Sequence, residues 1–283
     1  MSKNIARKAG LDKPLLVFNR SPTRSVDLQA ELGTDKAEIA DSIAAGVAQA
    51  DVVFVCVIDD KAAADTVHDI LKTDVGGKLI VNCTTVHPST SDKLGHLVEA
   101  AGADYVASPV VGQEPVAEDG TLLALLSGPK ASVKRVTRAV VDLSDQPYGK
   151  ALTLKIVGNT LIFSMVEQLA ESLVFADKAG LGAAAIHSWV ENVFGFPFSY
   201  YSERMISGDY YNRDYPAAHI DGSIEVSGHA RELSHAVGAQ LPILDIVVDH
   251  LAQVKSIKGD KGDLAGIYGI LRMKAGLKYE NQE

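Results

Sequence analysis

The first half of the chain alternates short apolar runs with segments of helical periodicity. PLLVFNR (14–20), DVVFVCVI (51–58), KLIVNCTT (78–85), DYVASPVVG (104–112) and TLLALLSGP (121–129) have the length and composition of strands. Between them SVDLQAELG, DKAAADTVHDILKT, STSDKLGHLVEAAG and KASVKRVTRAVVDL read as helices, and TDKAEIADSIAAGVAQA reads as a connection. Such alternation predicts a mainly parallel sheet covered by helices on both faces. SKNIARKAG, at the start, reads as a helix delivering the chain into its first strand, the second half of a βαβ unit.

The pattern changes near residue 150. KIVGNTLIFSMVEQLAESLVFADKAG (155–180) is apolar on all sides and finishes on Lys-Ala-Gly, which predicts one long helix buried on most sides, in a domain core or a subunit interface. Beyond it the chain reads as helical, with one aromatic loop, FGFPFSYYSERMISGDYYNRDYP (194–216). The expected organisation is an α/β domain over 1–150 and an all-helical domain over 151–283.

Composition narrows the partners. The chain is 47% hydrophobic and 22% charged, with a net charge of −9 and no Lys/Arg run. That excludes nucleic acid and anionic membrane surfaces as its main partners, while a small anionic ligand needs only a local cluster of donors. No apolar stretch reaches the ~20 residues that span a bilayer. Cys56 and Cys83 lie in apolar runs without CxxC spacing, which predicts two buried thiols, a reducing and so cytoplasmic setting, and no metal site. The histidines are scattered, without an HExxH.

Three segments carry candidate chemistry. NRSPTR (19–24) follows the first strand, where a dinucleotide-binding sheet meets the adenine ribose and where Arg in place of an acid accommodates a 2′-phosphate. Asn19, Arg20, Ser21, Thr23 and Arg24 supply two guanidinium groups and two hydroxyls there; the same residues also make an ordinary solvated basic turn. Lys155 and Asn159, four apart on the long helix, share a face and offer an amine and a carboxamide, or else an exposed lysine and a routine helix asparagine. SPVVGQEPVAEDGTL (108–122) is a loop between strands, either at the ligand-binding carboxyl ends of the sheet or a plain connection.

Taken in order, these segments resemble the β-hydroxyacid dehydrogenase superfamily, which includes 3-hydroxyisobutyrate dehydrogenase and carries the NAD-binding domain of 6-phosphogluconate dehydrogenase. VNCTTVHP (81–88) resembles the D-x-S-T-x-x-P cofactor segment. SPVVGQEPVAEDGTL resembles the substrate loop, and YGKALTLKIVGNTLIFSMVEQLAESLVFADKAGLG resembles the interdomain helix with its lysine and, four residues on, asparagine. The resemblance implies a Rossmann-type N-terminal domain, an all-α C-terminal domain, and hydride transfer between a nicotinamide cofactor and a small hydroxy acid, aldehyde or keto compound. It implies Lys155 as acid/base and Asn159 as its catalytic neighbour, with Val111, Gly112 and Gln113 along the substrate. Val57 and Ile58, with Thr84 and Thr85, are implied to line the cofactor beside Asn19, Arg20, Ser21 and Arg24; the arginines favour NADP over NAD. A homodimer through the helical domain is also implied.

The chain departs from this pattern in three places. Val111-Gly112-Gln113 stands where Ser-Gly-Gly is usual, and Glu225-Val226 where the late helix has Lys-Asp. Both changes argue against a 2-methyl-3-hydroxy acid substrate, and the retained Lys155 makes an imine-reducing reading secondary. No G-x-G-x-x-G precedes the first apolar run. The expectation is therefore a strand and glycine turn upstream, paired between PLLVFNR and DVVFVCVI, with a non-catalytic dimeric relative as the alternative.

Overall fold

The computed structural model describes residues 1–112, 114–136 and 141–281. The chain divides into two compact units, Met1–Lys155 and Ile156–Glu283.

In the first unit, α1 (Ser2–Lys8) leads into β1 (Leu15–Val17), α2 (Pro22–Leu32), β2 (Ala37–Ile39) and α3 (Ile43–Gln49). The chain continues through β3 (Val52–Val55), α4 (Asp60–Ile70), β4 (Leu79–Asn82), α5 (Pro88–Ala100) and β5 (Asp104–Ala107). It then enters β6 (Val110–Val111), α6 (Glu114–Asp119), β7 (Leu123–Gly128), α7 (Lys130–Val133) and β8 (Val141–Ser144). Strands β3, β4 and β5 are parallel in register, Val52 opposite Leu79 and Leu79 opposite Asp104, as helical crossovers require. Ile80, Tyr105 and Leu125 are buried on one face of this sheet, Val81, Val106 and Leu126 on the other.

The mainly parallel sheet is present with an antiparallel return, and three other expectations for this unit change. The sheet is mixed: β7 runs antiparallel to β5 and β6 and parallel to β8, because the return from β6 goes through the short α6 rather than a full crossover. The connection after α2 contains β2 and α3. β2 is Ala-Glu-Ile and lacks the apolar run that marks the equally short β1, and α3 buries one large side chain, Val47, under a cap in which Ala45 N–H donates to Ser42 Oγ at 3.1 Å. The stretch read as a helix to Leu143 gives α7 and then β8, since Val141–Ser144 pairs with Leu125–Gly128. Cys83 is buried, but Cys56 is exposed, lying just past the end of β3.

One further feature concerns pairing. β1 and β2 form a separate two-stranded parallel sheet, and the larger sheet has six strands starting at β3. Among the described residues β1 and β3 are not paired with each other, and Val52 and Phe54 of β3 are 37% and 41% exposed.

The helix α8 (Gly149–Lys178) runs across the division between units. The second unit continues with α9 (Ala183–Val193), α10 (Phe198–Ile206), α11 (Asp209–Asn212), α12 (Ile220–Ala236), α13 (Pro242–Lys258) and α14 (Ile267–Lys274). Its core is built on Leu169 and Leu173 of α8, Met205 of α10, Val247 and Leu251 of α13 and Tyr268 of α14. α8 is buried or half-buried along most of its length, as expected, while Leu154, Val157, Leu161 and Phe175 stand exposed. One reading is corrected here. The aromatic stretch 194–216 is not a loop: Tyr201 and Met205 share the buried face of α10, and Tyr210 anchors α11. Among the described residues no helix is long and apolar enough to cross a membrane.

Candidate active site

The carboxyl ends of β3 and β4 are tied together by side chains. Thr84 is buried; its Oγ1 accepts the Val57 N–H at 3.1 Å, and its own N–H donates to Asn82 Oδ1 at 3.0 Å. Asn82 Nδ2 then donates to the Tyr105 hydroxyl at 3.0 Å. The carboxylate of Asp60, in the first turn of α4, accepts the His87 N–H at 3.0 and 3.1 Å and the Thr90 hydroxyl at 2.6 Å. These bonds fix two loops that would otherwise hold unpartnered backbone donors. Val57 and Thr84 are thus brought together; Thr85 is half-buried beside them and Ile58 is exposed.

Beyond β1, Asn19 Oδ1 accepts the Ser21 N–H at 3.2 Å, a turn that places Ser21 at the N-cap of the eleven-residue α2. The Ser21 side chain makes no cap bond. Arg20 and Arg24 are exposed on either side, and among the described residues neither is in an ion pair. Pro22 has no N–H and the Arg24 N–H is donated to the Ser21 carbonyl at 3.3 Å, so what this helix start offers a phosphate is the uncapped Ser21 hydroxyl and two exposed guanidinium groups.

Lys155 lies in the second turn of α8. Its Nζ donates to the Val110 carbonyl at 2.7 Å, and burial pulls its pKa down from 10.5 to about 8. The acceptor is a neutral carbonyl, so nothing compensates the ammonium charge. Two residues past Val110, Gly112 adopts a φ of +146°, and a Cβ there would lie 2.7 Å from Leu122 Cδ2 and 2.9 Å from Val116 Cγ1. Glycine is therefore required there by both backbone and space. Val111 is half-buried in β6, opposite Leu123. Gln113 lies outside the described residues. Asn159 follows Lys155 by one turn on the same face of α8 and is half-buried. Glu225, on α12, is half-buried with His229 Nε2 at 3.9 Å.

The model of the NAD binding domain of 6-phosphogluconate dehydrogenase matches residues 1–155. The NADH-dependent oxidoreductase ucdB of Aspergillus ustus is 31% identical over 280 residues, covering 99% of this chain and 97% of that one. This chain belongs to the β-hydroxyacid dehydrogenase superfamily of nicotinamide-dependent oxidoreductases. The 3-hydroxyisobutyrate dehydrogenase of Salmonella typhimurium has a TM-score of 0.84 at 19% identity, over 95% of this chain and 94% of that one. The structure of Psf3 in complex with NADP+ and 2-OPP has a TM-score of 0.82 at 22% identity, over 95% of each chain. For this superfamily member the fold is thus a Rossmann-type unit with a mixed sheet followed by a helical region.

Two participants were missed in the sequence. The acceptor for Lys155 is a backbone carbonyl, which leaves no residue-type signal. Ser127, fully buried in β7, was visible as the one hydroxyl in the apolar run LLALLSG, but nothing in that run says what it holds.

Proposed function

We propose that this chain interconverts a hydroxyl-bearing and a carbonyl carbon in a small molecule, with Lys155 as the acid/base and NADP(H) preferred. The observation that carries the reading is the Lys155 amine, buried, donated at 2.7 Å to the Val110 carbonyl with no carboxylate beside it, and set at about 8. An amine titrating near neutrality is equipped to give a proton to a developing alkoxide and to take one back. When bound, the nicotinamide supplies or accepts the hydride. Asn159, one turn further along α8, is assigned to hold the substrate or the amine in place.

The first unit is assigned cofactor binding. Arg20, Arg24 and the uncapped Ser21 fit the 2′-phosphate end, and Val57, Ile58, Thr84 and Thr85 fit the loop ends that flank a bound dinucleotide. NADP(H) is preferred on the arginines, although ucdB is named for NADH. The second unit is assigned substrate contacts and self-association; Leu161 and Phe175, 72% and 75% exposed, support a homodimer. The missing loop hydroxyl at Val111 and the acid at Glu225 favour hydroxy acid, aldehyde or keto substrates other than 2-methyl-3-hydroxy acids.

A second reading, a non-catalytic relative, is favoured by one observation. Among the described residues β1 stands apart from β3, so the two strands expected to flank a bound dinucleotide do not share a sheet. Cofactor binding separates the two. A ligand at a hundred times its Kd raises stability by about 2.7 kcal/mol. We expect millimolar NADPH to raise the melting temperature more than NADH does, and a screen of hydroxy acids, aldehydes and keto compounds to give turnover that Lys155→Ala abolishes. No thermal shift with either nucleotide refutes the oxidoreductase reading for this chain.

A further inference from the structure

The first turn of α8 carries backbone N–H groups that the helix itself cannot satisfy. Two side chains from the first unit take them. Gly149 N–H donates to Asp92 Oδ1, on α5, at 2.8 Å, and Ala151 N–H donates to Ser127 Oγ, on β7, at 3.4 Å. The Ser127 hydroxyl in turn donates to the Tyr148 carbonyl at 2.6 Å, so one buried group grips the helix from both sides of its start. The Tyr148 hydroxyl donates to Glu99, and its ring stands edge-on to Tyr105 at 5.1 Å. Gly149 is pressed so closely on α5 that a Cβ would meet the Pro88 carbonyl at 2.8 Å.

Ser127 cannot shift to follow the helix. It is 0% exposed and held in register between Ala107 of β5 and Leu143 of β8. Three residues earlier on the same strand, Ala124 pairs with Val110, whose carbonyl receives the Lys155 amine. Strand β7 therefore fixes two points at once, the start of α8 and the acceptor that Lys155 must reach. An α-helix rises ~1.5 Å and turns ~100° per residue, so a slip of one residue at Gly149 would carry the amine off its acceptor.

Resting on the reading of Lys155 as the acid/base, we propose that Ser127, together with Asp92, is a positioning residue that sets where the Lys155 amine sits against the Val110 carbonyl. A purely structural role for either residue would lower the melting temperature and leave the titration of Lys155 where it is. The positioning role moves that titration, because an amine released from its buried acceptor returns toward the behaviour of an ordinary lysine.

The test reads the amine without turnover. The pH dependence of Lys155 acylation by acetic anhydride is followed by peptide mass spectrometry on the full chain, with circular dichroism and melting temperature alongside. We expect a midpoint near pH 8 in the unaltered chain. Ser127→Ala and Asp92→Ala should each raise the midpoint by more than half a pH unit. Asp92→Asn, which keeps the acceptor oxygen, and Ser127→Thr, which keeps the hydroxyl, should hold it. An unchanged midpoint in the alanine variants overturns the proposal, whatever their melting temperatures do. Where Ser127→Ala fails to fold, the contrast between Asp92→Ala and Asp92→Asn decides. A midpoint that moves as expected in a chain with no turnover on any substrate upholds the positioning role and refutes the catalytic reading.

Discussion

Lys155 in the first unit and Arg204 in the second are both cations removed from water, and they resolve that cost in opposite ways. Arg204 is 5% exposed; its Nε donates to Asp209 Oδ2 at 2.6 Å, and a terminal nitrogen lies 2.8 Å from Asp263 Oδ2. Burial works against its charge, and Asp263 and then Asp209 more than offset it, so its pKa is held above the ordinary value. Asp263 is itself satisfied by the Ala218 and Ala265 N–H groups, both at 2.9 Å. Lys155 has one neutral carbonyl and no carboxylate, and its pKa falls to about 8. Carboxylates beside a buried cation turn it into structure, and their absence turns it into a group that can exchange a proton.

The sharpest way to break this comparison is to remove the two cations separately. Lys155→Met should lower turnover by about two to four orders of magnitude, the range of a lost general acid/base. Its effect on stability has the other sign. Because the folded pKa lies below the unfolded value, the unfolded chain binds more protons between about pH 8 and 10.5, so stability rises with pH through that window. The charged form is the penalised one at pH 7, and Lys155→Met should therefore stabilise there by about 1–3 kcal/mol. Carbonyl reduction should hold below about pH 8 and fall above it, with the reverse for oxidation. Thermal denaturation at pH 7 beside a pH–rate profile checks both halves, and a destabilised Lys155→Met contradicts the account.

Arg204→Met should do the opposite, destabilising by about 3–5 kcal/mol because Asp263 and Asp209 are left without their counter-ion. The Arg204 guanidinium also lies 5.6 Å from the Tyr200 ring centroid and 5.7 Å from that of Tyr201, so packing is lost with the charge. Adding Asp263→Asn to Arg204→Met should recover part of the loss, since the remaining acid then has one fewer unpaired neighbour. Urea titrations of the single and double variants measure this.

Gly112→Ala comes next in size. The positive φ and the approach of Leu122 and Val116 together place its cost at about 1–3 kcal/mol. The displaced backbone lies two residues from the carbonyl that holds Lys155, so the substrate KM and the upper pKa of the rate profile should both move. A variant that melts lower but keeps an unchanged profile would show that the loop and the lysine are independent.

How much of this was legible in the chain depends on the apolar run around each element. β1, β3 and β4 sit in continuous apolar runs, and the thirteen-residue α5 and thirty-residue α8 are long enough for helical periodicity to show. β2, with three residues, and β8, whose VDLS continues a helical pattern, acquire their identity only from the neighbouring strand. α8 shows the limit from the other side. Its apolar residues run all round, yet Leu161 and Phe175 face solvent, because periodicity reports that a residue is apolar and not what covers it. At the candidate site the types Lys, Asn, Arg and Gly could be read directly. The Val110 carbonyl and the Ser127 grip could not, since both depend on the antiparallel return of β7.

The smallest expected effect probes an exposed cationic pair with no carboxylate partner among the described residues. Arg20 and Arg24 stand exposed on either side of an uncapped Ser21, in contrast to both the paired Arg204 and the buried Lys155. Exposed charges cost little to hold, so Arg20→Ala should leave the folding stability unchanged to within about 0.5 kcal/mol. Its consequence should fall on the ligand. The Kd for NADPH should rise roughly tenfold, equivalent to about 1.4 kcal/mol, while that for NADH stays within a factor of two. Because exposed pairs are screened, the difference should shrink between low salt and 0.5 M salt. Equal weakening of both nucleotides would mean that Arg20 touches the part they share, and the preference for the 2′-phosphate would then have to come from elsewhere.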